Sequence, residues 1–462
     1  SGLERVQRNV LRELARRPEI RRLRVVVMAG TRLPREFPAN AEPVEVQTPE
    51  DILRLLLDER DPPDLYHLTW FPDRSPRDLL LPLAARASVV EVHDAILNRH
   101  PEYHPDRASW AWYDSFVRRL VRCCDRILVH SESVAKEAVA DLAADPALID
   151  VAPLAVDPDL TVPLSAAERD RQLARLGVSG DYFVAVGKDY PHKNHAALFR
   201  ALVSLDPSVT LVCAGSKVWH RRGETTDELV GDLKLEARVR WVEGLDDAAM
   251  KALVQGARAL VYPSLEEGFG LPPLEAMALG TLAIVSNATS MPEVCGDGAW
   301  LFDPRDHRAL AALMQRALRD RDAVEAQRER GRERVASFSW ARTAERTVAC
   351  YRAAVDAAAA GRSPRTRFDP AFVETLRVIA TAPFHELHEL RHWQERCHAA
   401  ERHARAVEGN RDEILRQWNV LRAQNGQPPI PPPRDVVKRP RWSLRRRWGK
   451  IRARLRERFG ER

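Results

Sequence analysis

Two carboxylates, Glu267 and Glu275, stand with seven residues between them in a stretch that runs Glu266-Glu267-Gly268-Phe269-Gly270-Leu271-Pro272-Pro273-Leu274-Glu275. An apolar run, Ala259 to Tyr262, precedes it and stops at Pro263. The pattern predicts a strand, a glycine-bearing loop, and a short helix opened by Pro272 and Pro273 and closed at Gly280. Proline suits a first helical turn, and glycine follows a helix end. Such a loop feeds unpaired backbone N–H groups into a helix N-terminus, which favours anions. Gly268 and Gly270 let a ligand approach the backbone closely. Glu267 before the loop and Glu275, expected in the first helical turn, would flank a phosphate cradle with two hydroxyl-binding acids. A sugar nucleotide needs that combination for its diphosphate, ribose diol and sugar. Ordinary capping acids on a strand–loop–helix unit are the plainer alternative.

The string resembles the Glu-x7-Glu signature of retaining glycosyltransferases of family 4. The likeness continues through Ser286-Asn287, Pro292-Glu293-Val294 and Leu301-Phe302-Asp303-Pro304, with looser matches from about Gly2 to Val355. The resemblance implies an α/β chain of GT-B fold, with two Rossmann-like domains facing a cleft, the donor in the C-terminal half and the acceptor in the N-terminal half. It implies that Glu275 binds the ribose and Glu267 the donor sugar. The amides of Phe269, Gly270 and Leu271 would meet the distal phosphate or the sugar, and Glu266 would face solvent. Lys188, directly after the strand end at Gly187, and Lys193, in Pro191-His192-Lys193-Asn194, would neutralise the leaving diphosphate. His93 of the His93-Asp94 pair would stand beside the donor sugar, Arg99 to Tyr103 would line the acceptor side, and Ser131 would cap a helix.

No metal or other cofactor is expected. Asp157-Pro158-Asp159 has the look of a metal-binding pair, but after a proline in a connecting segment it reads as turn chemistry. The His-Asp pair and Pro-His-Lys-Asn resemble mannosyltransferase-like members, which makes GDP-mannose the first choice of donor. The implied acceptor is a growing bacterial surface glycan or its lipid-linked form. A GT-B epimerase, a phosphorylase and a non-catalytic module of a larger synthase are the alternatives.

The chain has 462 residues with a net charge of +6. Twelve Lys or Arg and two acids lie between Lys438 and Arg462, a net of +10, so the remainder stands at −4. The six cysteines are scattered and form no Cys-x-x-Cys pair, which points to a reducing, cytoplasmic setting. In the tail Leu444, Trp448, Ile451, Leu455 and Phe459 fall on one helical face among arginines, the pattern of an amphipathic helix on an anionic membrane surface. An apolar stripe is not needed to contact nucleic acid, and none is expected as a partner.

Nine strand-like runs must position these side chains: Leu23–Met28, Val89–Val92 and Arg126–Val129 in the first half; Phe183–Val186, Thr210–Cys213, Val239–Val242, Ala259–Tyr262, Leu282–Val285 and Trp300–Phe302 in the second. Alternation with helical runs predicts parallel sheets with crossover helices. The expected divisions are an N-terminal acceptor domain over 1–155, a donor domain with a closing helix over 156–355, a charged helical arm over 356–426, and a Pro-rich break with the basic tail over 427–462. Pro153 to Pro163 reads as the linker between the halves, and Phe338-Ser339-Trp340 as the start of a helix crossing back. Sparse apolar points between Phe372 and Arg422 suggest self-association or docking on a synthase partner. Leu3, Val6, Val10 and Leu14 share a helical face with no strand ahead of them, so the first strand of the N-terminal domain is expected to be absent and the chain to be a piece of a longer one.

Overall fold

The computed structural model describes residues 2–28, 30, 37–47, 49–56, 61–69, 80–217 and 226–362. All of them belong to one compact unit, Ser1–Thr381. The arm over 372–422, the break at 427–433, the basic tail and Cys397 lie outside the described residues.

Twelve strands are described. β1 (Leu23–Met28) and β2 (Ala41–Val46) form a parallel pair. β3 (Tyr66–Leu68), β4 (Ser88–Val92), β5 (Arg126–Val129) and β6 (Ile149–Val151) form a parallel sheet in that order. β7 (Tyr182–Val186), β8 (Thr210–Ala214), β9 (Val239–Val242), β10 (Leu260–Tyr262), β11 (Ala283–Ser286) and β12 (Trp300–Phe302) form a second parallel sheet in the order 12-11-10-7-8-9. All nine expected strands are present to within a residue or so. Strand order reverses between β7 and β10, so the connections leaving these two strands diverge and open a crevice at their C-terminal ends. Open α/β sheets bind ligands at such a switch point.

Near-continuous apolar strands are the mark of sheets covered on both faces. Here Tyr182, Val184, Val212, Leu260 and Val285 bury one face of the six-stranded sheet, and Phe183, Leu211, Cys213, Val261 and Ile284 the other. Alternation of side chains along each strand separates the two sets. In the N-terminal half, Val90, Val92, Ile127 and Val129 pack with Phe116, Leu120, Val134 and Leu142 of the helices Arg107–Cys123 and Glu132–Leu142.

The helix Trp340–Ala359 crosses back as expected. Its Trp340 Nε1 donates to the Val156 carbonyl at 2.9 Å, and Cys350 and Ala354 pack on Val89 and Leu128. The segment read as a linker is more than a connector. Leu154, Ala155, Val156 and Leu160 are buried in the core of the second half. Asp157 caps the short helix Pro158–Thr161 through the Asp159 N–H at 3.1 Å and pairs with Arg8, which bears out the turn reading of Asp157-Pro158-Asp159. The first described element is the helix Gly2–Ala15, which buries Val6 against the second half and Leu14 against the closing helix. Among the described residues Cys123, Cys124, Cys213, Cys295 and Cys350 are free thiols.

Candidate active site

The site is assembled at the C-terminal ends of β4, β5, β7 and β10. Beyond β7, the chain passes Gly187 and the exposed Lys188, and a 3₁₀ turn over Pro191–Lys193 then brings Lys193 inward. Beyond β10, Glu267 is buried at 8% exposure. Lys193 Nζ donates to Glu267 Oε1 at 2.5 Å and to the Tyr262 hydroxyl at 3.0 Å. This pair bridges the switch point. Burial alone would push the Glu267 carboxyl up, but the charge and hydrogen bond of Lys193 outweigh it, and the carboxyl is held below the usual range. Burial also disfavours the Lys193 ammonium, yet Tyr262 and Glu267 hold its pKa above the ordinary lysine value. Both groups are therefore charged at neutral pH.

The loop between the two acids is fixed by its own polar contacts. Thr289 Oγ1 accepts from the Glu267 N–H at 3.0 Å. Ser290 Oγ lies 3.0 Å from the Glu267 carbonyl and 3.2 Å from that of Phe269. Gly270 has φ +90°, a left-handed backbone, and a Cβ there would lie 2.0 Å from the Met291 methyl. Directly after it the helix Leu271–Ala278 begins, so the two prolines occupy its second and third positions.

That start places Glu275 in the second helical turn, not the first. The helix dipole favours anions only near the terminus, so the carboxylate loses most of that support. Its neighbours come from three places. Arg5 of the first helix lies 3.9 Å away and also pairs with Asp247, while Asp157 and Asp247 oppose the carboxylate charge. Burial, only partly offset by Arg5, pushes the Glu275 carboxyl up to about 7. A folded-state pKa above the unfolded value contributes stability below the unfolded value that is lost as pH rises through about 7. The expected fall from this group between pH 5 and 8 is about 3 kcal/mol. Urea unfolding at the two pH values should show it in the parent and not in Glu275→Gln; an equal fall in both would contradict the assignment.

Contacts across the cleft come from the first half. Ser131 caps the helix Glu132–Leu142 through the Val134 N–H at 3.1 Å, as expected, and its hydroxyl also donates to the Gly268 carbonyl at 2.7 Å. Glu293 accepts from the Glu132 and Ser133 N–H groups at 2.9 and 3.2 Å, supplying from the opposite half a carboxylate to that helix N-terminus. Gly268 sits directly on His93, where a Cβ would lie 2.0 Å from the His93 carbonyl. The structure thus brings His93, Gly268, Glu267 and Lys193 together. Glu275 stands apart from them, at the far end of the loop beside Arg5.

A second expectation is corrected. Glu266 does not face solvent: it is half-buried, its Oε1 accepts from His100 Nε2 at 3.1 Å, and its Oε2 forms an ion pair with Arg99 Nη1 at 3.1 Å. Tyr103 joins the same contact, its hydroxyl 2.9 Å from the His192 N–H and 3.2 Å from His192 Nδ1. The Arg99–Tyr103 segment therefore ties the two halves together at this point.

Residues 1–160 match the family model for Glycosyltransferase Family 4, and residues 168–334 match that for Glycosyl transferases group 1. The chain is 30% identical over 282 residues to the O-antigen chain mannosyltransferase B of Escherichia coli, covering 59% of this chain and 72% of that protein. The chain belongs to the family 4 glycosyltransferases. It is also 33% identical over 290 residues to the MMP alpha-(1->4)-mannosyltransferase of Mycolicibacterium hassiacum, covering 59% and 66% of the two chains. Among solved structures, HepE of Anabaena in complex with UDP and glucose superposes with a TM-score of 0.61 at 17% identity, over 76% of this chain and 96% of that one. Sucrose-phosphate synthase from Thermosynechococcus elongatus gives 0.52 at 21% identity, over 63% and 73%. These likenesses establish the GT-B fold.

The candidate site contains groups that the sequence does not single out. Tyr262 was taken as the end of a strand, and its hydroxyl proves to be a partner of Lys193. Arg5 reaches Glu275 from a helix some 270 positions earlier, and no local spacing announces that. Glu91 and His130 flank His93. For Glu91 a signal existed: two residues apart at a strand end, Glu91 and His93 project to the same side.

Proposed function

We propose that this glycosyltransferase takes a sugar from a nucleoside diphosphate donor and transfers it, with retention of configuration, to a glycan acceptor in surface polysaccharide synthesis. The observation that carries this reading is the Lys193–Glu267 pair at the switch point between β7 and β10, with the adjoining Gly268 set against the His93 carbonyl of the opposite half. Lys193 presents the positive charge that a leaving diphosphate requires. Glu267 presents a carboxylate for the donor sugar's hydroxyls, and Glu275 one for the ribose. Lys188 adds a second cation beside Gly187 at the end of β7.

A carboxylate already bound to an ammonium is a poor nucleophile, and this favours a front-face route. The acceptor oxygen bonds to the anomeric carbon as the carbon–phosphate oxygen bond breaks, and the departing diphosphate oxygen takes the acceptor's proton. No step needs a metal. Mannose as the sugar is supported by the mannosyltransferase relatives, two of which are named for O-antigen chains, and guanosine diphosphate is the carrier we assign to it.

The test is a donor-hydrolysis and transfer screen over a panel of sugar nucleotides. With the accepted donor, Glu267→Ala and His93→Ala should lose roughly 10- to 100-fold in turnover while nucleoside diphosphate affinity changes little, since a hydrogen bond to a charged group contributes about 1.5–3 kcal/mol. Either variant working at the parent rate removes that residue from the site. Transfer should persist in excess EDTA; a complete loss restored by a divalent ion would overturn the metal-free step.

Among the described residues no helix is long and apolar enough to cross a membrane. We assign membrane contact to the basic tail, which would hold the cleft near a lipid-linked acceptor. The full chain should co-sediment with anionic vesicles at moderate salt, and a truncation after Pro433 should not. Trp448→Glu should weaken binding; equal sedimentation of full and truncated chains would end the assignment.

A further inference from the structure

Three histidines of the N-terminal half surround one buried carboxylate, that of Glu91 in β4. His130 Nε2 lies 2.6 Å and His93 Nδ1 3.5 Å from Glu91 Oε1, and His67 Nε2 lies 3.3 Å from Oε2. Strand register explains the meeting. β4 and β5 pair Val92 with Val129, so the residues that follow, His93 and His130, emerge side by side and stack with ring centroids 5.4 Å apart.

Each imidazole is anchored through its other nitrogen. His93 Nε2 is 3.1 Å from the Thr69 carbonyl, His130 Nδ1 is 3.0 Å from the Ala152 carbonyl, and His67 Nδ1 is 2.7 Å from the Tyr351 hydroxyl. A carbonyl oxygen only accepts, so His93 Nε2 and His130 Nδ1 both carry hydrogens. His130 Nε2 is close enough to donate to Glu91 Oε1, whereas His93 Nδ1 and His67 Nε2 face the same carboxylate at 3.5 and 3.3 Å, so the inner nitrogens of three rings converge on one buried carboxylate. His67 Nε2 is buried beside the same carboxylate with no hydrogen-bond partner. An outer nitrogen held by a carbonyl or hydroxyl, with the inner one free, is how metal-ligating histidines are oriented.

We propose that Glu91, His93 and His130 bind a divalent transition metal of the zinc class, with His67 in reach as a fourth ligand. The ligand atoms of the first three lie within 4.8 Å of one another. Two imidazoles and a carboxylate are a donor set that suits zinc at roughly 2.0–2.2 Å per ligand. A hydrogen bond from His130 serves Glu91 Oε1 alone, whereas a single cation would be shared by all the ligand atoms that converge there. Bound there, it would fix the His93 ring at the edge of the cleft; the transfer chemistry is not routed through it.

The test uses the full chain, stripped by chelator and dialysed, and titrated with Co²⁺ alone. Residues 385–403 carry five further histidines and Cys397, so the total count will exceed one and the difference between chains is the readout. The parent should bind one equivalent more than Glu91→Gln and one more than His93→Ala, with the Co²⁺ absorption of a nitrogen–oxygen site present only in the parent. Tyr351→Phe, which keeps every ligand, should weaken that equivalent by roughly tenfold. Should Glu91→Gln fail to fold, the half-buried His93 still decides the matter. Equal counts in the parent and His93→Ala, or no saturable binding in the parent, would overturn the proposal. That failure would leave the transferase reading untouched, because transfer is assayed in EDTA.

Discussion

Lys193→Ala should both destabilise the chain by about 3–5 kcal/mol and abolish measurable affinity for the donor's nucleoside diphosphate. Two separate causes act. Lys193 and Glu267 are both largely withdrawn from water, with side chains 17% and 9% exposed, and Nζ donates at 2.5 Å. Removing the ammonium leaves the carboxylate buried and unpaired, which costs more than the ion pair contributed. The hydroxyls of Ser264 and Tyr262 remain beside it. Glu267 should then protonate, so the stability loss should shrink as pH falls toward 5. Affinity falls for the other reason: the diphosphate loses its buried cation. The double variant Lys193→Ala/Glu267→Gln separates the two. It should recover most of the stability and none of the nucleotide binding. Urea denaturation and calorimetric titration on the three chains are the measurements. A double variant as unstable as the single one would show that the buried charge is not the cause. Tight nucleotide binding by either variant would remove Lys193 from the donor site.

That pair also shows how far the sequence could be read. Lys193 and Glu267 were legible because each stands just beyond an apolar strand, and a parallel sheet collects such positions at one edge. The nine strands were legible because they are short apolar runs with turn residues at both ends. β2, β3 and β6 were not. Ala41–Val46 carries Pro43 and two glutamates and pairs on one side with β1. Tyr66-His67-Leu68 and Ile149-Asp150-Val151 are three residues each, both with a polar centre, and no alternation can be seen over three positions. Glu266 and Glu275 were misplaced for a related reason. Whether an acid on a loop faces water depends on which segment of the other half lies above it, and Arg99, His100 and Arg5 arrive from more than 160 residues away. The Glu91 cluster escaped notice because His130 and His67 are ordinary strand-end and mid-strand histidines until the register of β3, β4 and β5 sets them around one carboxylate.

Gly268→Ala should reduce transfer by more than about 100-fold while leaving nucleoside diphosphate binding within a few-fold of the parent. The glycine is required by a close approach and not by its backbone conformation, since its φ is not positive. A methyl group there would lie 2.0 Å from the His93 carbonyl oxygen and 3.2 Å from the Asp94 Cβ, both on the opposite half. Neither obstacle is the flexible end of a side chain, so something must shift. Within the donor half the loop is pinned by Thr289 and Ser290. Movement between the halves is therefore the softer response, although it strains the Ser131–Gly268 bond and the Arg99–Glu266 and Tyr103–His192 contacts. An opening of one ångström or so takes His93 away from the sugar while Lys193, Glu267 and Glu275 keep their places on the donor half. This sign of effect differs from that of ordinary overpacking in a core, where about 1–3 kcal/mol of stability is lost and every activity declines together. Turnover with the accepted donor, nucleotide titration, and small-angle scattering of parent and variant would read the three consequences. Parent-like turnover in Gly268→Ala would show that the close approach of Gly268 to His93 is not needed for the reaction. Loss of nucleotide binding along with turnover would place the damage inside the donor half instead of between the halves.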